Sequence, residues 1–130
     1  MPRLASSSCS AAAGRLLGVL AALSLAALWA VFLFRNPYAA SDADATRLVG
    51  YTMIAGAAIA AAAAARGAYV AMYLLFFVMF VPVGFYVLLT PGMFSAIGWI
   101  EIGYLAAAIL VHLGTPADGG QKKRVSHPVD

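Results

Sequence analysis

The chain has 130 residues, 64% of them hydrophobic and only 10% charged, with a net charge of +3. Ordinary soluble domains are about 45–50% apolar and about 25% charged, and a small domain has too little interior to hide such a surplus. A soluble enzyme or binding module is therefore excluded, and the few scattered basic residues form no nucleic-acid surface.

The chain opens with MPRLASSSCSAAAG, residues 1–14. Its Ser-rich, weakly apolar composition predicts a disordered tail. Cys9 is the only cysteine, so no intramolecular disulfide is expected. It precedes the first apolar run, whereas a lipid-attached cysteine at a cleavage site would follow one.

Four runs then meet the requirement of about 20 mostly apolar residues for a membrane-crossing helix. They cover 16–34, 48–65, 68–90 and 93–113. Each is continuously apolar rather than alternating, which favours helices over barrel strands. The links are short: RNPYAASDADAT between the first and second, Arg66-Gly67 between the second and third, and Pro91-Gly92 between the third and fourth. The fold class expected is an all-α integral membrane protein, four transmembrane helices in an up-down antiparallel bundle over 15–114. A second disordered tail is expected over 115–130, TPADGGQKKRVSHPVD.

With four spans both tails share one side. That side carries Arg3, Arg15, Arg66, Lys122, Lys123 and Arg124, against Arg35 and Arg47 on the other. The bias places both termini in the cytoplasm of a bacterial-type inner membrane. Trp29, Phe34, Tyr38 and Tyr51 gather at the outer end, where amphipathic rings prefer to sit. The first span is read as retained; its alternative is a cleaved signal peptide, against which stand its length and the Arg35-Asn36-Pro37 that follows it.

Small residues let membrane helices approach. The first span offers Gly14, Gly18, Ala22, Ala26 and Ala30 at four-residue spacing, and the second Thr52, Gly56, Ala60 and Ala64. Bulky Tyr73, Phe76, Phe77, Met79 and Phe80 of the third are expected to pack into those faces. Alanine is only weakly hydrophobic, so the second span is expected to be the one most surrounded by protein, within one chain or across an oligomer.

Pro82 and Gly84 interrupt the third span, predicting a kink with a freed carbonyl at Val78. Pro82 lies nine residues before Pro91, and Glu101 nine after Gly92. Folding about that turn puts Glu101 level with the kink, about 13 Å from the turn. Glu101 is the one acid inside an apolar run, and its face continues through Ile97, Gly98, Tyr104, Leu105, Ala108 and His112. Small Gly98 and Ala108 turn that face inward. An acid exposed to lipid would cost about 2.5–3.5 kcal/mol.

Three readings of Glu101 are open. It donates a structural hydrogen bond to Val78, Tyr104 or Tyr86; it handles a proton or cation; or it pairs with Arg35 or Arg47. His112 reads as interfacial, and the Lys122–Arg124 cluster as a topology signal with mild attraction to anionic lipid. No catalytic set, metal site or cofactor motif is expected, because Glu101 lacks a second acid and neither His112 nor His127 has ligand-spaced companions.

Two functions follow. One is a non-enzymatic structural or accessory subunit working through helix contacts in a homo-oligomer or larger membrane complex. The other is a proton-coupled transporter or channel subunit using Glu101 as an oligomer. In size and span number the chain resembles the small multidrug-resistance transporters, which work as dimers around a membrane-embedded glutamate. Theirs lies in the first span and Glu101 in the fourth, so the resemblance is one of architecture and carries over no residue.

Overall fold

The computed structural model describes residues 3–35 and 44–115. Among them there is no strand, and these residues are almost entirely helical. The helices are α1 (Arg3–Arg35), α2 (Asp44–Arg66), α3 (Tyr69–Met79), α4 (Phe85–Leu88) and α5 (Ser95–Gly114). A single π-helical turn, Phe80–Gly84, joins α3 to α4. Four segments are long and apolar enough to cross a membrane: Ser8–Arg35, Asp44–Arg66, Tyr69–Leu88 and Ser95–Gly114.

Local chemistry explains the boundaries. Asp44 opens α2 and Arg66 closes it, each complementing the helix dipole. Gly67 takes φ +67°, a left-handed conformation that glycine adopts without a Cβ clash. Its N–H bonds Ala64 O and that of Ala68 bonds Ala63 O, both at 3.0 Å, which closes the α2 carbonyls. The Arg15 guanidinium lies against this cap, with Nε 2.5 Å from where a Gly67 Cβ would stand. At the other end Gly92 adopts φ +117°, and Ser95 Oγ donates to its carbonyl at 2.9 Å.

Two expectations are corrected here. The predicted tail over 1–14 is helical from Arg3, because serine and alanine permit a helix and α5 supports this one. Ser10 Oγ donates to Leu110 O at 3.2 Å, and Gly14 packs on the α5 backbone. The tail over 116–130, with Lys122–Arg124 and His127, lies outside the described residues, as do Tyr38 and most of the first link. Second, within one chain α2 is not the most enclosed helix: α5 buries eight residues and α2 six. Alanine's weak hydrophobicity does not choose its neighbours; the position of the helix in the packing does.

The helix contacts run through small residues. Gly14 meets Val111 and Ala107, and Gly18 meets Ala64 and Met72. The predicted α1 ribbon continues through Ala22 but then shifts to Leu25 and Trp29, which are buried where Ala26 and Ala30 are only half-buried. A four-residue step overshoots one turn by about 40°, so no straight helix keeps such a ribbon on one face for long. The same drift turns Trp29 into the core of the cluster toward the Gly92 end, at 1% exposure. In α3 the inserted side chains are Met72, Phe76 and Met79, while Phe77 is 57% exposed. Met79 fills the dent at Gly56 and Met72 the one at Gly18.

The buried side chains form two clusters. One, toward the Gly67 end, centres on Ala22, Ala64, Met72, Phe76, Ala107 and Val111. The other, toward the Gly92 end, centres on Leu25, Trp29, Met53, Met79, Val87 and Ile97.

Candidate functional site

Glu101 stands where these clusters meet. It follows Ile97 by one turn and precedes Tyr104 by one turn on the buried face of α5, and it is 3% exposed. A small cavity of about 10 Å³ touches it, lined also by Ala22, Leu25, Ala60, Leu75, Phe76, Met79 and Tyr104. α1, α2, α3 and α5 all contribute to that lining. A space of about 10–15 Å³ on this measure holds the centre of one water molecule.

The π-helical turn closes the site from the other side. Pro82 has no N–H to give the ladder, and the chain absorbs the defect by bonding Phe85 N–H to Phe80 O, five residues back. Gly84 in this turn lies directly against the carboxyl, and a Cβ there would collide with Glu101 Oε2. The register is antiparallel: Gly84 faces Glu101 and Leu88 faces Gly98, where a Cβ would stand 2.5 Å from Leu88 Cβ. The helix interruption and the acid therefore share a layer, with Gly84 rather than Pro82 in contact. Pro82 itself points outward and is exposed.

None of the expected partners reaches the carboxyl. Both Oε1 and Oε2 are buried without a hydrogen-bond partner. Tyr104 Oη instead donates across the bundle to Ala60 O at 2.9 Å. Tyr86 is 74% exposed, because two residues from Gly84 is about 200° around the helix. No bond runs to Val78 O. Arg35 and Arg47 border clefts at the Gly92 end, on Phe94 and on Tyr51 respectively.

His112, three turns along the same helix, belongs to a separate cluster. Its ring stacks on Tyr69 at 4.6 Å and 7°, and Nδ1 lies 3.3 Å from Tyr73 Oη. It is exposed, and these rings tie α3 to α5 at the Gly67 end. Among the described residues no three His, Cys, Asp or Glu side chains gather to hold a metal ion.

Sequence reasoning missed Trp29. Its indole N–H is buried without an acceptor, the other orphaned polar group among the described side chains. The signal was available in part: Trp29 falls seven residues after Ala22, two turns on, and so on the same face. Comparison with protein-family models, with curated proteins and with solved structures finds no match.

Proposed function

We propose that this chain is a small multi-pass membrane protein, an up-and-down bundle of four spans with both termini in the cytoplasm. It works without catalysis, as a structural or accessory subunit acting through helix contacts, by itself in oligomers or in a larger membrane complex. The observation that carries this reading is the packing of four lipid-compatible helices through small residues, with Gly14 and Gly18 seated on α5 and α2. Such close approach is how helices associate where lipid leaves little hydrophobic drive. The Lys and Arg distribution supports the orientation.

One observation favours the second reading, a proton-coupled transporter or channel subunit. A structural acid would be hydrogen-bonded, and an ion-paired acid would have its cation. Glu101 has neither, although it is buried on a cavity all four spans help to line. An ionisable group held in this way inside a bilayer is suited to taking up and releasing a proton.

Infrared titration of the protein in lipid separates the two. The protonated carboxyl C=O stretch would be followed across neutral pH, with Glu101→Gln assigning the band. A band that titrates supports proton handling, and Glu101-dependent proton flux into vesicles should accompany it. A band that persists throughout supports the accessory subunit. A C-terminal reporter active outside the cytoplasm would overturn the orientation.

A further inference from the structure

Among the described residues that border the Glu101 cavity, Tyr104 is the one other titratable group. It follows Glu101 by three residues on the buried face of α5 and is 5% exposed. Long side chains on a helix lean over the preceding turn, so the phenol lies toward the level of the acid. The other elements packed around the cavity present Ala22, Leu25, Ala60, Leu75, Phe76 and Met79, none of which carries a charge. Gly84 of the π-helical turn brings no side chain.

The Tyr104 hydroxyl donates to Ala60 O at 2.9 Å. That bond crosses the bundle on its diagonal, since α2 and α5 pack mainly through α1 and α3 rather than on each other. Its acceptor does not depend on it. Ala60 lies inside α2, where the helix ladder supplies the N–H of Ala64, and a carbonyl accepts two bonds. Glu101, by contrast, has two buried oxygens without a partner. This arrangement suits a neutral acid, because an ionised one buried without a donor is far costlier. A hydrogen bond to a charged acceptor is roughly twice as strong as one between neutral groups. A phenol hydrogen turns about its C–O bond to follow the better acceptor.

We propose that Tyr104 is the positioning residue of the proton site: its hydroxyl donates to Ala60 O while Glu101 holds a proton, and turns to the carboxylate when that proton leaves. In this step the O–H bond of the acid breaks and its proton passes to water. Tyr104 keeps its own hydrogen throughout, and Ala60 O keeps its helical partner. The charge of Glu101 is thereby read across the diagonal, as a bond between α5 and α2 that is made or released. The inference rests on the proton-handling reading of Glu101.

The test is infrared difference spectroscopy of the full chain in phosphatidylcholine bilayers, with isotope-labelled tyrosine. The phenol C–O stretch reports whether the hydroxyl donates to a neutral or a charged acceptor. The protein has six tyrosines, and the band that Tyr104→Phe removes belongs to Tyr104. Across a pH titration that band should shift with the same midpoint at which the Glu101 carboxyl C=O band is lost. Glu101→Gln cannot ionise and should hold the Tyr104 band at its low-pH position. The labelled wild type against Glu101→Gln isolates the coupled tyrosine even if Tyr104→Phe does not fold. A Glu101 band that titrates over an unmoved Tyr104 band would overturn the switch alone, as would a Tyr104 shift that persists in Glu101→Gln. A Glu101 band that never titrates would overturn the proton-handling reading and the switch with it.

Discussion

Adding one methyl group at position 84 tests the contact between the helix interruption and the acid. In Gly84→Ala the new Cβ would overlap Glu101 Oε2, stand 2.7 Å from Glu101 Cδ and come to 3.0 Å from Phe80 Cδ2. The carboxyl has little room to withdraw, since Glu101 is 3% exposed and its cavity measures about 10 Å³. Overpacking of this kind costs about 1–3 kcal/mol. Alanine's better helix propensity offsets up to ~1 kcal/mol of that. The net expectation is a loss of about 1–2 kcal/mol, read from reversible unfolding in mixed micelles by circular dichroism. The decisive form is a double-mutant cycle. Glu101→Ala removes the colliding atoms, so Gly84→Ala in that background should be neutral or mildly stabilising. Residues in contact couple by about 0.5–3 kcal/mol, and a value near ~2 kcal/mol is expected. Glu101→Gln keeps the shape and should leave the penalty intact. If the two substitutions simply add, Gly84 and Glu101 are not in contact and the shared layer does not exist.

Four further outcomes follow from the same packing. Gly14→Ala should cost about 1–3 kcal/mol, because its Cβ would stand 2.8 Å from Val111 N and 2.9 Å from Ala107 O, both backbone atoms. Gly103→Ala meets nothing within 4 Å and should change stability by less than about 0.5 kcal/mol; equal costs at the two sites in an unfolding titration would sink the account of helix contacts. Glu101→Met should raise stability by about 1–3 kcal/mol, the desolvation cost of an unmade polar bond, whereas a loss would mean the carboxyl is bonded after all. Tyr104→Phe should cost only ~0.6 kcal/mol, the average for an interhelical bond in a membrane protein, and a loss of several kcal/mol would show that the Tyr104–Ala60 bond holds more than its own pair.

How far these features were legible depends on their range. The apolar runs were long enough to show all four helices that could cross a membrane, and Asp44–Arg66, Tyr69–Leu88 and Ser95–Gly114 lie close to the ends of the second, third and fourth runs. The start of α1 was not legible, because a helix over Ser and Ala is decided by what it packs on, here the carbonyl of Leu110 and the backbone at Val111. The inward face of α5 could be read because period 3.6 orders Ile97, Gly98, Glu101, Tyr104 and Ala108 on one stripe. The depth match between spans three and four could be read because a tight turn fixes register. Glu101's neighbours could not. Depth places Tyr86 near the acid, but azimuth sends it to the opposite face, and azimuth past a proline depends on how the helix repairs itself. A π-helical turn adds a residue to one turn and rotates everything after it, and Pro82 alone does not announce that choice over a simple kink.

The layer at Glu101 is therefore built differently from the layers on either side. Toward the Gly67 end Ala64, Ala107, Ala108 and Val111 are nearly or fully sealed, and toward the Gly92 end Trp29, Ala57 and Ile97 are equally so. Between them sit a cavity, a carboxyl with two unused oxygens, a glycine with no side chain and a helix turn with a proline defect. Each of these weakens packing, and a core under selection for stability alone would fill the space with an aliphatic side chain. Glu101 at 3% exposure and Tyr104 at 5% are nevertheless as shielded as the layers above and below, so what sets this layer apart is its unpaired carboxyl rather than access from outside. The stability given up there is what Glu101→Met should restore, because the desolvation cost of the two unused oxygens goes with the carboxyl.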